Sequence, residues 1–350
     1  MPDSPRILVI RRRYLGDLVL LGSVFRNLKA HWPNAQIALL AERGYAHVGR
    51  LHPDVDRVRT FPVTTGDWWR FWRELRATGF THALDFDNTD KTALVTRLTG
   101  AAVRVTYQRE LIPFKHRWVY TGRAVVDDAF YRTHPITETY LRLLEPAGVP
   151  VVTRDFHLQP AAADLATVQK FTGGPRRRGP GERPKIVVHP GSRSRFRVWP
   201  AARFAAVCDR LQEEHDAQIF LIAGPGERAL AREIRDAAQS HLVLIEEAFS
   251  VGEFAAFLAQ FNLMLCHDSG PMHIAAGVGT RVVALFGSQN AAIWRPVGEG
   301  HTVLQTTLPC TCLPDLPTPC VRDDSYRSYC VRKLGVDDVY RAVVQALAAA

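Results

Sequence analysis

The thirteen residues Thr172-Gly-Gly-Pro-Arg-Arg-Arg-Gly-Pro-Gly-Glu-Arg-Pro184 hold four glycines, three prolines and no large apolar side chain. Such a stretch cannot build core and reads as a linker between domains. What decides the fold is that one pattern, short apolar strands alternating with amphipathic helices, runs on both sides of it. Ahead of it, Ile7-Leu-Val-Ile10 reads as a buried strand, Asp17–His31 as a helix and Gln36–Ala41 as a second strand. The pattern further predicts strands over 57–61, 82–85 and 103–106, and helices over 67–77, 91–98 and 136–146. Behind it the alternation restarts, with predicted strands over 185–188, 218–223, 242–245, 263–266 and 281–284. Helices are predicted between these, over 200–213, 227–237, 251–259 and 271–277, and a last one over 336–349 could pack on either domain. Strands alternating with helices of this length imply a parallel sheet covered on both faces. The expected architecture is therefore α/β: two doubly wound, Rossmann-like domains, residues 1–171 and 185–350, facing a central cleft. Ligands in such sheets bind outside the carboxyl ends of the strands.

The 350 residues are 47% apolar and 23% charged, which excludes a disordered chain, a collagen-like repeat and a disulfide-dense miniprotein. No run approaches the roughly 18 uncharged apolar residues of a membrane span. The start of the chain shows no basic region followed by an apolar one, so a soluble cytoplasmic protein is expected. Positive charge is uneven: residues 1–150 hold 22 Lys and Arg against 15 Asp and Glu, residues 151–350 hold 22 against 20. A basic first half suits an anionic partner such as a membrane surface or a phosphorylated substrate, although an arginine-rich genome would give the same excess. Helix-turn-helix, zinc-finger and RNA-binding aromatic signatures are missing, which argues against nucleic acid.

Four segments could carry chemistry. Arg11-Arg-Arg-Tyr-Leu-Gly-Asp17 follows the first strand; Gly16 permits a tight turn, and Asp17 stands at or beside a helix start. There it is either an N-cap or a general base for a substrate hydroxyl, and the positive helix end favours the ionised form that a base needs. Arg11, Arg12 and Arg13 on the same rim are either solvated or suited to an acceptor's phosphates. His189-Pro-Gly-Ser-Arg-Ser-Arg-Phe-Arg-Val-Trp-Pro200 offers small residues and three arginines, a phosphate cradle or a plain exposed loop. Ala223-Gly-Pro-Gly-Glu227 is a turn with an acidic residue able to meet ribose hydroxyls. His267-Asp-Ser-Gly-Pro-Met-His273 opens a helix whose first amides, at Ser269 and Gly270, favour a diphosphate. No zinc-ligand spacing involves His267, Asp268 and His273, so no metal is expected. Cys310, Cys312, Cys320 and Cys330 match no strong metal pattern either. The run Trp68-Trp-Arg-Phe-Trp72 reads as core packing, with an edge exposed to lipid or sugar as the alternative.

Taken in order, these pieces resemble glycosyltransferase family 9, the heptosyltransferases of the lipopolysaccharide inner core. The resemblance rests on Ile7-Leu-Val-Ile-Arg with Leu15-Gly-Asp17, His189-Pro-Gly-Ser with Arg197-Val-Trp-Pro200, Ala223-Gly-Pro-Gly-Glu227, and His267-Asp-Ser-Gly-Pro-Met-His273 followed by Leu285-Phe-Gly287. The arginine-rich 192–197 stretch is most similar to the branch that adds a third heptose. The resemblance implies a GT-B fold, an ADP-heptose donor on the second domain and no further cofactor. It also implies a phosphorylated lipid A–core acceptor on the first domain, at the inner face of the inner membrane, and inversion without a metal. It puts Asp17 at the base position. Gly191, Ser192, Arg195, Asp268, Ser269, Gly270 and His273 fall on donor positions, Glu227 on the ribose contact, Phe249 over the adenine, and Arg11, Arg12, Arg13 and Gly16 on the acceptor side. Arg197 stands where the family usually has Lys, so a planar fork replaces a point charge. The competing readings are a GT-B transferase with another nucleotide sugar or acceptor, a GT-B-like sugar-nucleotide epimerase, and a non-catalytic nucleotide-binding module.

Overall fold

The computed structural model describes residues 4–174, 182–193, 197–224, 226–306 and 330–349. The chain divides into two compact units at Gln159–Pro160. The first contains β1 (Arg6–Ile10), α1 (Leu15–Val19), α2 (Gly22–His31), β2 (Gln36–Ala41), β3 (Arg57–Thr60), α3 (Asp67–Ala77), β4 (His82–Asp85), α4 (Asp90–Leu98), β5 (Val103–Arg109), β6 (Gly122–Val126), α5 (Asp128–Thr133) and α6 (Ile136–Leu141). The second contains α7 (Ala162–Thr172), β7 (Lys185–His189), α8 (Ala201–His215), β8 (Gln218–Ile222), α9 (Arg228–Ala237), β9 (Val243–Ile245), α10 (Val251–Leu258), β10 (Leu263–His267), α11 (Gly270–Gly277), β11 (Arg281–Phe286), α12 (Ala291–Trp294), β12 (Thr302–Gln305) and α13 (Val336–Ala348).

Each unit has one six-stranded parallel sheet. The orders are β3-β2-β1-β4-β5-β6 and β12-β11-β10-β7-β8-β9, so each sheet winds outward in both directions from its first strand. The doubly wound reading of both halves holds. Ile7 to Ile10 and Ile186 to Val188 are fully buried, as central parallel strands covered on both faces must be. The switch points fall between β1 and β4 and between β7 and β10, with registers such as Ile10 to Asp85 and Cys266 to His189. Crevices outside the carboxyl ends of those strand pairs are where such sheets bind ligands.

The differences from the sequence reading have local causes. The helix predicted from Asp17 to His31 is broken into α1 and α2: Leu20 and Leu21 keep φ near −70° while ψ opens to −8° and −6°. Gly22 then lets the second helix press on Phe156, whose ring carbon would lie 2.3 Å from any Cβ at that position. The helix predicted over 136–146 turns 3₁₀ after Leu141, with Pro146, which has no N–H to give, inside its last turn. The edge strand β6 went unpredicted because Gly122-Arg-Ala-Val-Val126 carries a glycine, a charge and only alternate buried positions. The units divide ahead of α7, which packs on α10, and Lys185 Nζ bonds Thr172 O and Gly174 O at 2.7 and 2.9 Å. Residues 175–181 of the proposed linker lie outside the described residues. The last helix, α13, packs on α8 of its own unit.

Candidate active site

In the first unit, β1 runs out at Ile10 and the next residues still follow β2: Arg11 N–H donates to Leu40 O and Glu42 N–H to Arg12 O. This delivers Arg11 to the switch point. Its guanidinium contacts Asp17, bonds Phe86 O at 2.6 Å and lies 3.1 Å from Asp87. Asp17 is 7% exposed. It is not the N-cap of α1, which is Tyr14; it occupies the third helical position. Its Oδ1 accepts from Arg11 and from Tyr140 Oη (2.7 Å), and its Oδ2 accepts the Tyr14 amide at 3.2 Å. One carboxylate oxygen is thus saturated by charged and phenolic donors, and the other holds, among the described residues, a single, longer amide contact. Such a carboxylate is fixed in orientation and can still take a proton.

Two further carboxylates lie at the same edge, Asp85 as the last residue of β4 and Asp87 on the loop after it, the latter joined to Asp17 through Arg11. Asp85 is fully buried and accepts the amides of Asp87 and Asn88 (2.9 and 3.1 Å) and the Tyr120 hydroxyl (2.7 Å), so it shapes the turn. Asp87 accepts the Arg12 amide at 2.6 Å; burial pushes its pKa up to about 6 against the pull of Arg11. A cavity of about 410 Å³ opens at the ends of β4 and β5, lined by Asp87, Asn88, Thr89, Asp90, Tyr107, Gln108, Arg109, Ile112, Pro113 and Lys115. Through Asp87 and Arg11 its wall is joined to Asp17.

The three rim arginines are not equivalent. Arg11 is committed to the carboxylates, Arg12 pairs with Glu42 (Nε to Oε1, 3.0 Å), and Arg13 is exposed with its guanidinium 5.2 Å from the Tyr14 ring centre. Gly16 lies in α1, half-buried. Asp85, Asp87 and Tyr140 were not singled out from the sequence. The aspartates follow the strand that neighbours β1 across the switch point, a signal available only once strand order is known. Tyr140 reaches Asp17 from 123 residues away, and no local pattern marks it.

In the second unit, β7 and β10 deliver His189 and His267 to the corresponding edge. Nε2 of the buried His267 accepts the Trp199 amide at 2.9 Å, which requires a neutral ring; burial lowers its pKa to about 3. Trp199 is itself fully buried, and its indole N–H donates to Leu334 O at 3.1 Å. Arg197 Nη1 meets Asp268 Oδ2 at 3.3 Å, and burial pushes Asp268 up to about 6. Among the described residues, Arg197 Nε and Ser192 Oγ are buried with no hydrogen-bond partner. Ser269 precedes α11 and makes no side-chain cap there among the described residues, which leaves the Gly270 amide at the helix start beside Asp268, Pro271 having no N–H to offer. Open donors, an uncapped helix start and a guanidinium are the groups that hold a phosphate.

Glu227 folds back rather than outward: Oε2 accepts the Gly224 amide at 3.2 Å and lies 3.5 Å from His189 Nε2. Gly191 makes room for this fold-back, since a Cβ there would fall 2.0 Å from the Glu227 carboxyl carbon and push the carboxylate away. His273 is buried in α11. Phe249, half-buried, packs between Phe171 and Phe257 with ring centres 5.4 and 5.2 Å away. Arg195 and Cys310, Cys312 and Cys320 lie outside the described residues; Cys330 is buried. Among the described residues no three His, Cys, Asp or Glu side chains are grouped to hold a metal ion.

Comparison with known proteins finds similar chains over most of the length. The family model described as glycosyltransferase family 9 (heptosyltransferase) matches residues 68–323. Lipopolysaccharide heptosyltransferase 3 of Escherichia coli is 24% identical over 304 residues, spanning 81% of this chain and 84% of that protein. Among solved structures, a glycosyl transferase family 9 protein of Veillonella parvula DSM 2008 superposes with a TM-score of 0.83 at 20% identity, over 99% of this chain and 98% of that one. The ADP-heptose lps heptosyltransferase II of E. coli does so with 0.76 at 19%, over 98% and 99%.

Proposed function

The chain belongs to glycosyltransferase family 9, the heptosyltransferases, with the GT-B fold, and from that premise we propose that it moves a heptose from ADP-heptose to the inner core of lipopolysaccharide. The likeness to heptosyltransferase 3 favours the branch adding a third core heptose. The observation that carries the reading is the asymmetry of the Asp17 carboxylate, with Oδ1 saturated by Arg11 and Tyr140 and Oδ2 held, among the described residues, by one amide. That arrangement supports a general base. The acceptor hydroxyl gives its proton to Oδ2 while its oxygen attacks the anomeric carbon from the face opposite the nucleotide. The bond from that carbon to the β-phosphate oxygen breaks and ADP leaves with the electron pair, so configuration inverts.

Charge on the departing diphosphate falls to Arg197, the Ser192 hydroxyl and the start of α11. Preorganised donors of this kind lower a barrier by roughly 3 kcal/mol each, which is how the step proceeds without a metal. On this reading Gly191, Glu227, Phe249, Asp268, Ser269, Gly270 and His273 shape the donor site. The 410 Å³ cavity beside Asp87 takes the acceptor sugar, and Arg13, rather than the paired Arg11 and Arg12, is available to its phosphates.

The test is transfer with a panel of nucleotide sugars and a heptose-containing core oligosaccharide, read as acceptor-dependent release of nucleotide. ADP-heptose is the expected donor, the product linkage by NMR is inverted, and EDTA leaves the rate unchanged. Preference for a UDP or GDP sugar, or inhibition by EDTA that Mg2+ reverses, would overturn the corresponding part of the proposal.

A further inference from the structure

One face of the first sheet carries exposed apolar side chains that its own unit leaves uncovered. Trp69 on α3 is 76% exposed, Leu94 on α4 51%, and Leu111 and Trp118 on the segment joining β5 to β6 each 71%. These three segments lie together. Each belongs to a crossover moving in the same direction along the sheet, and right-handed crossovers of one direction fall on one face. Moreover α3 touches α4, and His116 Nε2 meets Asp90 Oδ1 at the start of α4 at 2.8 Å. The inner side of the same helices is accounted for: Phe71, Leu75 and Val95 are buried in the sheet's core, with Trp68 and Trp72 packed against it. Trp69 and Leu94 therefore sit on the outer side.

Cations surround these side chains. Arg70, Arg73, Arg97, Lys115 and Arg117 are exposed on the same three segments. The acidic groups among them are Asp67, Glu74, Asp90 and Glu110, of which Asp90 faces His116. A single exposed apolar residue needs no explanation, but two exposed tryptophans framed by arginine and lysine are the composition of a membrane–water interface. Indole rings settle at headgroup level and the cations meet anionic phosphates. No helix among the described residues is long and apolar enough to cross a membrane. The surface also adjoins the cavity, since Ile112 and Lys115 belong to the β5–β6 segment and line it.

We propose that this face docks on an anionic lipid bilayer, seating Trp69 and Trp118 among the headgroups, so that a lipid-borne acceptor enters the adjoining cavity from the membrane. The proposal rests on the reading of the acceptor as a lipid-linked sugar. The full chain is sedimented with phosphatidylglycerol/phosphatidylethanolamine vesicles and with pure phosphatidylcholine vesicles, and transfer is measured separately to a water-soluble core oligosaccharide. Wild type should bind the anionic vesicles alone, and added salt should release it. Trp69→Ser with Trp118→Ser should weaken binding at least tenfold, and Arg73→Glu with Arg117→Glu, both outside the cavity lining, should do so by about fivefold or more per residue. Transfer to the soluble oligosaccharide and the melting temperature should stay at wild-type values. Wild type that ignores anionic vesicles, or variants that bind them as wild type does, would overturn the docking surface. Variants that lose soluble-acceptor transfer equally would also overturn it, assigning the residues to sugar binding. Vesicle binding without any transfer by wild type would leave the surface standing and fail the transferase reading instead.

Discussion

The two sheets share one strand order and open at the same switch point, yet they gather opposite chemistry there. The first edge collects three carboxylates, Asp17, Asp85 and Asp87, and satisfies them with Arg11, two tyrosine hydroxyls and backbone amides. The second presents two buried histidines, one Asp–Arg pair, an open helix start and a buried hydroxyl without a partner among the described residues. The winding of the chain settles where a site forms; the residues just after the first and fourth strands settle which charge it attracts. The first edge spends the terminal nitrogens of Arg11 on its carboxylates and Phe86 O, though Arg11 Nε has no partner among the described residues, and it leaves one carboxylate oxygen to receive a proton. The second has donors to spare and suits an anion.

The largest effect expected from this contrast comes from the first edge. Asp17→Asn removes the proton acceptor and keeps the shape, so transfer should fall by about 10³-fold, within the range for a positioned base, with ADP affinity nearly unchanged by calorimetry. A variant retaining a tenth of the wild-type rate would take the base role from Asp17. On the second edge, Arg197→Ala should cost roughly 10²-fold in transfer and weaken ADP as well, because on the proposed reading that guanidinium meets the diphosphate before and during reaction. Arg197→Lys should recover part of both, a point charge replacing a planar fork. Equal losses from alanine and lysine would mean that fork geometry, not charge, is what the site uses.

Tyr140→Phe probes how far the first edge depends on distant support. The ring would stay packed on Phe86 (centres 5.5 Å apart), and only the 2.7 Å bond to Asp17 would go. The expected loss is about 1 kcal/mol of stability and on the order of tenfold in kcat, with KM for the donor unchanged. A loss confined to stability would make Tyr140 a packing residue and leave Arg11 and the Tyr14 amide to hold Asp17.

These side chains also mark what was legible in the sequence. Central strands are continuous apolar runs, so Ile7–Ile10 and Lys185–Val188 could be read directly. The motifs that follow them could be read as well, because glycine and proline punctuate strand ends. Edge strands such as β6 and β12 are half polar and could not be told from loop. The first site was half legible: Asp17 stands in a motif, whereas Asp87 becomes its neighbour only through the β1–β4 pairing and Tyr140 only through the packing of α6. The tryptophan run divides by helical phase, Phe71 inward and Trp69 outward, and no composition argument separates them.

The smallest effect sharpens the comparison on the second edge. Burial holds Asp268 near a pKa of about 6, above the roughly 3.9 of an unfolded aspartate. A carboxylate raised in this way binds its proton more tightly when folded. Its contribution to stability is full below about pH 4 and is lost as pH rises through about 6. At pH 7.5 the wild type therefore carries an ionised, desolvated carboxylate, and Asp268→Asn does not. The whole shift corresponds to about 3 kcal/mol. That shift is already net of the attraction to Arg197, so the gain is bounded by about 3 kcal/mol, a rise of several degrees in melting temperature at most. The gain should shrink between pH 6 and pH 4 and vanish below. If melting curves instead show the asparagine variant less stable at pH 7.5, the Arg197 contact outweighs the burial of Asp268. The second edge would then be saturated in the manner of the first, with no cation left over for a leaving diphosphate.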